Sequence, residues 1–137
     1  MMRFRFAAVL AAALVAPLPG FAASAAETLD RWYAMLNAAN ADGLAALLSD
    51  DARIRLDDLG IEQDKSEFLA SMDEWRVAVA GAGIRHRIER EAGVEATVLV
   101  CYDFAENDIL MRETFRFAGD LIIETTQTQL AQDCKAY

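Results

Sequence analysis

The chain has 137 residues, 55% hydrophobic and 26% charged, with a formal net charge of -9 at pH 7. These values fit one globular domain and exclude a disordered or fibrous chain. The acidic balance repels phosphate, so neither nucleic acid nor an anionic membrane surface is an expected partner. A single His rules out a Cys/His metal cluster, and neither metal nor cofactor is expected.

Arg3 and Arg5 precede an apolar run over residues 6–16, which Pro17, Pro19 and Gly20 break, and Ala23, Ser24 and Ala25 supply small residues for cleavage. That order is the order of a secretory signal peptide. The run is about half the ~20 residues that a membrane span needs, which weakens the alternative of a retained anchor. Residues 1–25 are therefore expected to be a leader and residues 26–137 a single exported domain, periplasmic or secreted.

Over residues 27–40, Leu29, Trp32, Tyr33 and Leu36 recur at helical spacing among good helix formers, which predicts a first long helix. A second short helix follows, with Asp42 as its N-cap and Leu44, Leu47 and Leu48 on its apolar side, and Ser49, Asp50 and Asp51 stop it. Residues 53–57 alternate polar and apolar, a short strand with Ile54 and Leu56 facing inward. Asp64 and Glu67 form a capping box that opens a third helix over residues 65–80, carrying Phe68, Leu69, Met72, Trp75 and Val79.

Four alternating stretches follow, at 84–91, 94–104, 109–117 and 121–130, separated by short turns. Short turns make antiparallel neighbours. The expected architecture is α+β, with three N-terminal helices packed on a curved antiparallel sheet, a cone-like barrel. Inward positions are Ile84, His86 and Ile88 on the first stretch, and Val94, Ala96, Val98, Val100, Tyr102 and Phe104 on the second. The last strand has two registers open: a two-residue turn at Gly119 and Asp120 places Ile122, Glu124, Thr126 and Thr128 inward, and a bulged turn places Leu121, Ile123 and Thr125 there.

Cys101 and Cys134 both lie in the exported part, where an oxidising compartment favours a disulfide over two free thiols. Closing that loop contributes about 3–4 kcal/mol in the chain-entropy picture. The third stretch sets Ile109, Met111, Phe115 and Phe117 on one face, and in the middle of that apolar row stands Glu113. Either it pairs with Arg112 or Arg116 at an edge, or it is the polar group of an apolar ligand pocket, with a pKa raised by desolvation. In the pocket reading, Glu113→Leu is expected to stabilise the apo protein. Trp32, Leu56, Trp75, Val98, Val100, Met111, Phe115 and Thr126 are the expected pocket lining, for a small apolar or aromatic ligand. His86 and Glu113 together could act as an acid–base pair, or His86 could be a hydrogen-bonded core residue. The outer sheet face carries Leu99 and Leu110 among opposite charges, a surface suited to a homodimer.

Leu36, Asn37 and Ala38, then Asp42, Gly43 and Leu44, Leu47 and Leu48, Asp50, Asp51 and Ala52, and later Thr114, Phe115, Arg116, Phe117 and Gly119 are similar to motifs of the nuclear transport factor 2-like superfamily. The chain resembles its SnoaL-like polyketide cyclases and ketosteroid isomerases over about residues 28–130. That resemblance implies the conical fold and says little of function, because the fold hosts enzymes, binding proteins and interaction modules alike. It also implies where an isomerase's groups would fall. The oxyanion-hole tyrosine matches Trp32, the general-base aspartate matches Leu56, and the second oxyanion-hole acid matches Glu113. Leu56 cannot take a proton, so steroid isomerisation is not the expected activity. The expectation is a SnoaL-like binding protein. The alternatives are a lyase or isomerase using His86 and Glu113, or an interaction module with a filled pocket.

Overall fold

The computed structural model describes residues 23–137. The leader expected over residues 1–25 lies outside the described residues except for its last three, of which Ser24 caps the first helix by accepting a hydrogen bond from the Glu27 N–H at 3.2 Å. No helix among the described residues is long and apolar enough to cross a membrane.

Helix α1 (Ala25–Asn37) lays Leu29, Trp32, Tyr33 and Leu36 on the sheet. Burying each such side chain contributes about 1.5–3 kcal/mol, which is why this amphipathic face, more than intrinsic propensity, holds the helix. Ala39 closes the turn at φ 49°, a left-handed conformation that costs a non-glycine residue roughly 1–2 kcal/mol. Helix α2 (Ala41–Leu47) is capped by Asn40, whose side chain accepts from Gly43 N–H at 2.9 Å, and not by Asp42 as the sequence suggested. Asn40 has the extended backbone that a cap needs, and Asp42 already lies inside the first turn.

Strand β1 (Leu48–Leu56) begins earlier than expected, because Leu48 and Ala52 are buried ahead of Ile54. A 3-10 turn (Asp57–Leu59) follows, and Gly60 at φ 61° reverses the chain into a strand the sequence did not reveal, β2 (Ile61–Asp64). This strand is short and its Ile61 is exposed, so it lacks the buried alternation that marks a strand.

The expected third helix is two: α3 (Lys65–Ala70), opened by the capping box of Asp64 and Glu67, and α4 (Met72–Val79). The break falls at Ser71, whose hydroxyl donates to the Phe68 carbonyl at 2.6 Å and competes with the helical ladder. Four α-helices among the described residues thus replace the three expected.

The remaining strands are β3 (Gly83–Ala92), β4 (Glu95–Asp103), β5 (Asp108–Ala118) and β6 (Leu121–Ala131), an antiparallel meander. The curved sheet is nonetheless mixed. Its order is β2-β1-β6-β5-β4-β3, and β1 runs parallel to β6, so the expectation of a wholly antiparallel sheet is corrected. No turn joins these two strands; β1 takes its direction from α2 and needs only a free edge.

Cys101 and Cys134 form a disulfide with Cα atoms 5.8 Å apart. It ties the C-terminal residues over the outer sheet face, where the Tyr137 ring lies under the guanidinium groups of Arg85 and Arg87 at 4.8 and 5.4 Å. Leu99 stands between Arg87 and Arg112 in register, and Leu110 beside Cys101. Both leucines, read as surface residues for a homodimer, are buried within the chain. On the same face Arg112 pairs with Glu89 and Arg116 with Glu95, and toward the β1 side Arg55 pairs with Glu62 and Glu124. Such exposed pairs contribute little each.

Candidate functional site

The inner sheet face has two ends. At one, β5 brings Glu113, Phe115 and Phe117 opposite Val98 and Ala96 of β4, and α1 closes over them. Trp32 stacks on Phe68 with ring centroids 5.6 Å apart and meets Phe115 edge-on at 5.9 Å. Glu113 is fully buried there. It is not paired with Arg112 or Arg116, which the strand alternation sends to the outer face. Its Oε2 accepts the Tyr33 hydroxyl at 2.7 Å and its Oε1 accepts the Tyr102 hydroxyl.

Burial raises the pKa of Glu113 to about 7, and the hydrogen bonds donated by Tyr102 and Tyr33 hold it from rising further. Burial likewise pushes both tyrosines well above their ordinary values, helped by the neighbouring Glu113 charge. His86 stands outside this cluster. Its ring stacks on Tyr33 at 4.4 Å and its Nε2 meets Asp30 Oδ1 at 2.8 Å. The ring of Tyr33 therefore separates the two residues expected to form an acid–base pair.

At the other end the helices stand away from the sheet and leave a cavity of about 500 Å³. Strand β1 lends it Ile54 and Leu56, and the 3-10 turn lends Asp58 and Leu59. Where α3 gives way to α4, Phe68, Ser71, Met72, Glu74, Trp75 and Ala78 form the opposite wall. Trp75 of α4 borders the cavity while its indole N–H donates to the Leu36 carbonyl at 2.7 Å. The sheet side is Tyr102, Phe104, Ile109 and Met111, with Gln127 and Gln129. A concave, mainly apolar wall with a few polar groups is the usual form of a small-molecule site.

Of the residues expected to line a pocket, Leu56, Trp75 and Met111 line this cavity. Trp32, Val98, Val100 and Phe115 lie instead in the packed core, with at most 1% of their surface exposed. Thr126 pairs with Thr114 and Arg55 on the outer side. The reason is a bulge opposite Arg116 and Phe117, which leaves Ile122 facing inward but shifts the rest of β6, so that Thr125, Gln127 and Gln129 oppose Phe115, Glu113 and Met111. Each register expected from the sequence is thus right for one part of the strand only. Val94, expected inward, is 60% exposed beyond the strand end. Tyr33 was legible as an inward residue of the first helix but was missed as the polar partner of Glu113, because that contact joins residues 80 positions apart.

No protein-family model matches the sequence, and no curated protein matches it. Solved structures do resemble it in fold. An NTF-2 like protein of unknown function from Burkholderia xenovorans superposes with a TM-score of 0.66 at 17% identity, over 80% of this chain and 83% of that one. A candidate ketosteroid isomerase from Kribbella flavida gives 0.62 at 17% identity over 76% of both chains. A candidate polyketide cyclase from Streptomyces antibioticus gives 0.63 at 16% identity, over 76% of this chain and 90% of that one. The chain therefore has the nuclear transport factor 2-like fold, and at such identities the likeness concerns fold alone.

Proposed function

We propose that this chain is an exported binding protein for a small apolar or aromatic molecule, held in the cavity between α3, α4 and the open end of the sheet. The observation that carries the reading is the cavity of about 500 Å³, walled by aromatic and aliphatic side chains beside a core that is otherwise closely packed. A volume of that size suits a ligand of drug-like dimensions. The disulfide and the leader-like order of residues 1–25 support export to the periplasm or beyond.

Binding is favoured over acid–base catalysis by His86 and Glu113, because neither residue lines the cavity and each is engaged by other partners. Binding is favoured over an interaction module with a filled pocket by the volume itself.

The test is fluorescence titration with the neutral probe N-phenyl-1-naphthylamine. Saturable enhancement is expected with the wild type and loss of it in Ala78→Trp, which projects bulk into the cavity from an exposed position of α4. No enhancement in the wild type, or equal enhancement in the variant, sinks the reading.

A further inference from the structure

The cavity's charge and ring chemistry carry the reading beyond "small and apolar". Among the described residues, none of those lining it is Arg, Lys or His, while Asp58 and Glu74 both stand in the lining. The basic side chains on the surrounding elements are engaged elsewhere. Arg55 meets Glu62 and Glu124, Lys65 donates to the Leu48 carbonyl and Asp50, and Arg76 reaches Asp73 and the Ala39 carbonyl. An anion entering here would meet carboxylates and find no counter-charge.

Three rings form a corner of the same cavity. Tyr102 and Phe104 lie parallel with centroids 5.9 Å apart, and Trp75 stands perpendicular to both, at 6.0 and 5.9 Å. The two polar handles in this corner point their protons into the protein. The Trp75 indole N–H donates to the Leu36 carbonyl and the Tyr102 hydroxyl donates to Glu113. Such donation leaves each ring more electron-rich on its face, and it is ring faces that attract cations. Ser71 likewise spends its hydroxyl proton on the Phe68 carbonyl. Asp58 accepts the Gln129 N–H through Oδ2 alone. The side-chain donors left to a ligand are amide groups of Gln63, Gln127 and Gln129, whereas the acceptors include two carboxylates, and the thioethers of Met72 and Met111 add polarizable surface.

We propose that the cavity selects an organic cation, an alkyl- or arylammonium group seated against Trp75, Tyr102 and Phe104 with Asp58 and Glu74 as its counter-charges, over neutral or anionic molecules of the same shape. This rests on the cavity being a ligand site, and the experiment separates the two claims. Phenyltrimethylammonium, its neutral carbon isostere tert-butylbenzene and the anion benzoate are each titrated into the intact protein, followed by the indole N–H resonance of Trp75.

The expected result is that the cation binds at least about fivefold more tightly than the isostere, as cation–π and charge attraction at a partly desolvated site imply. That ratio should fall toward one in the double variant Asp58→Asn, Glu74→Gln, whose two sites are exposed and leave the core untouched. Equal or tighter binding of tert-butylbenzene or benzoate overturns the cation preference and leaves the ligand site standing. A ratio unchanged in the double variant overturns the assignment of the two carboxylates. Failure of all three probes to move the resonance overturns the ligand site and the cation preference together.

Discussion

The two ends of the inner sheet face are built from the same strands and behave oppositely. At the closed end, α1 presses Trp32 and Tyr33 onto Phe115, and the one acid among them, Glu113, is enclosed with both oxygens bonded. At the open end, four residues back from Phe115 along β5, Met111 faces a cavity lined by aliphatic and aromatic side chains with a few polar ones. The difference teaches that the alternation of a strand fixes which side chains point inward, whereas the helix laid over them decides whether an inward position is core or binding wall. Tyr102 belongs to both ends: its ring borders the cavity and its hydroxyl completes the closed cluster.

Truncation along β5 gives the sharpest contrast. Phe115→Ala, in the packed end, is expected to cost about 3–5 kcal/mol, whereas Met111→Ala should cost less than about 2 kcal/mol because its side chain already adjoins open volume. Urea midpoints measure both. Equal losses would erase the distinction between the ends.

Replacement of Glu113 tests the closed cluster next. The sequence suggested that Glu113→Leu would stabilise the protein, but the structure reverses this, since leucine would strand the buried hydroxyls of Tyr33 and Tyr102. A loss of about 2–4 kcal/mol is expected, with Glu113→Gln costing about 1 kcal/mol because an amide can still serve both hydroxyls. Adding Tyr33→Phe and Tyr102→Phe to the leucine variant should recover part of the loss.

The same residue gives a pH dependence of definite sign. Its pKa is about 7 in the folded protein against an ordinary 4.5. Below the ordinary value both states hold the proton and its contribution is complete. As pH rises from about 4.5 to 7 the unfolded chain ionises first, so stability falls, by up to about 3 kcal/mol, and above 7 the loss is complete. Comparing wild type with Glu113→Gln across that window isolates this residue from the others. A wild type whose stability does not fall relative to the variant would show that Glu113 is not held neutral.

The smallest expected effect lies at the start of α2. Asn40→Ala removes the side chain that accepts the Gly43 N–H and should cost about 1 kcal/mol by thermal denaturation without altering binding at the open end.

The sequence showed which residues face the inside more clearly than which of them meet a ligand. Met111, Glu113 and Phe115 were legible as one inward row, since strand alternation is local. The capping box of Asp64 and Glu67 was legible for the same reason. The split at Ser71 was not, because a serine is tolerated in a helix until its hydroxyl turns back on the carbonyl three residues earlier. Gln127 and Gln129 continue the bulged register that the sequence left open beside the regular one, and only the bulge opposite Arg116 and Phe117 decides between the two. Trp32 and Trp75 looked alike in sequence, each an aromatic on a helix face. Only the packing of α1 against the sheet, and the standing-off of α4, assigns one to the core and the other to the cavity.

Those two indoles provide the most direct measurement, since the chain contains two tryptophans. Their N–H resonances, assigned with Trp32→Phe and Trp75→Phe, are followed during titration with N-phenyl-1-naphthylamine. A saturable shift of the Trp75 resonance is expected, with the Trp32 resonance moving far less. A saturable shift at Trp32 without one at Trp75, or no shift at either, would contradict the claim that the closed end is structure and the open end is the site.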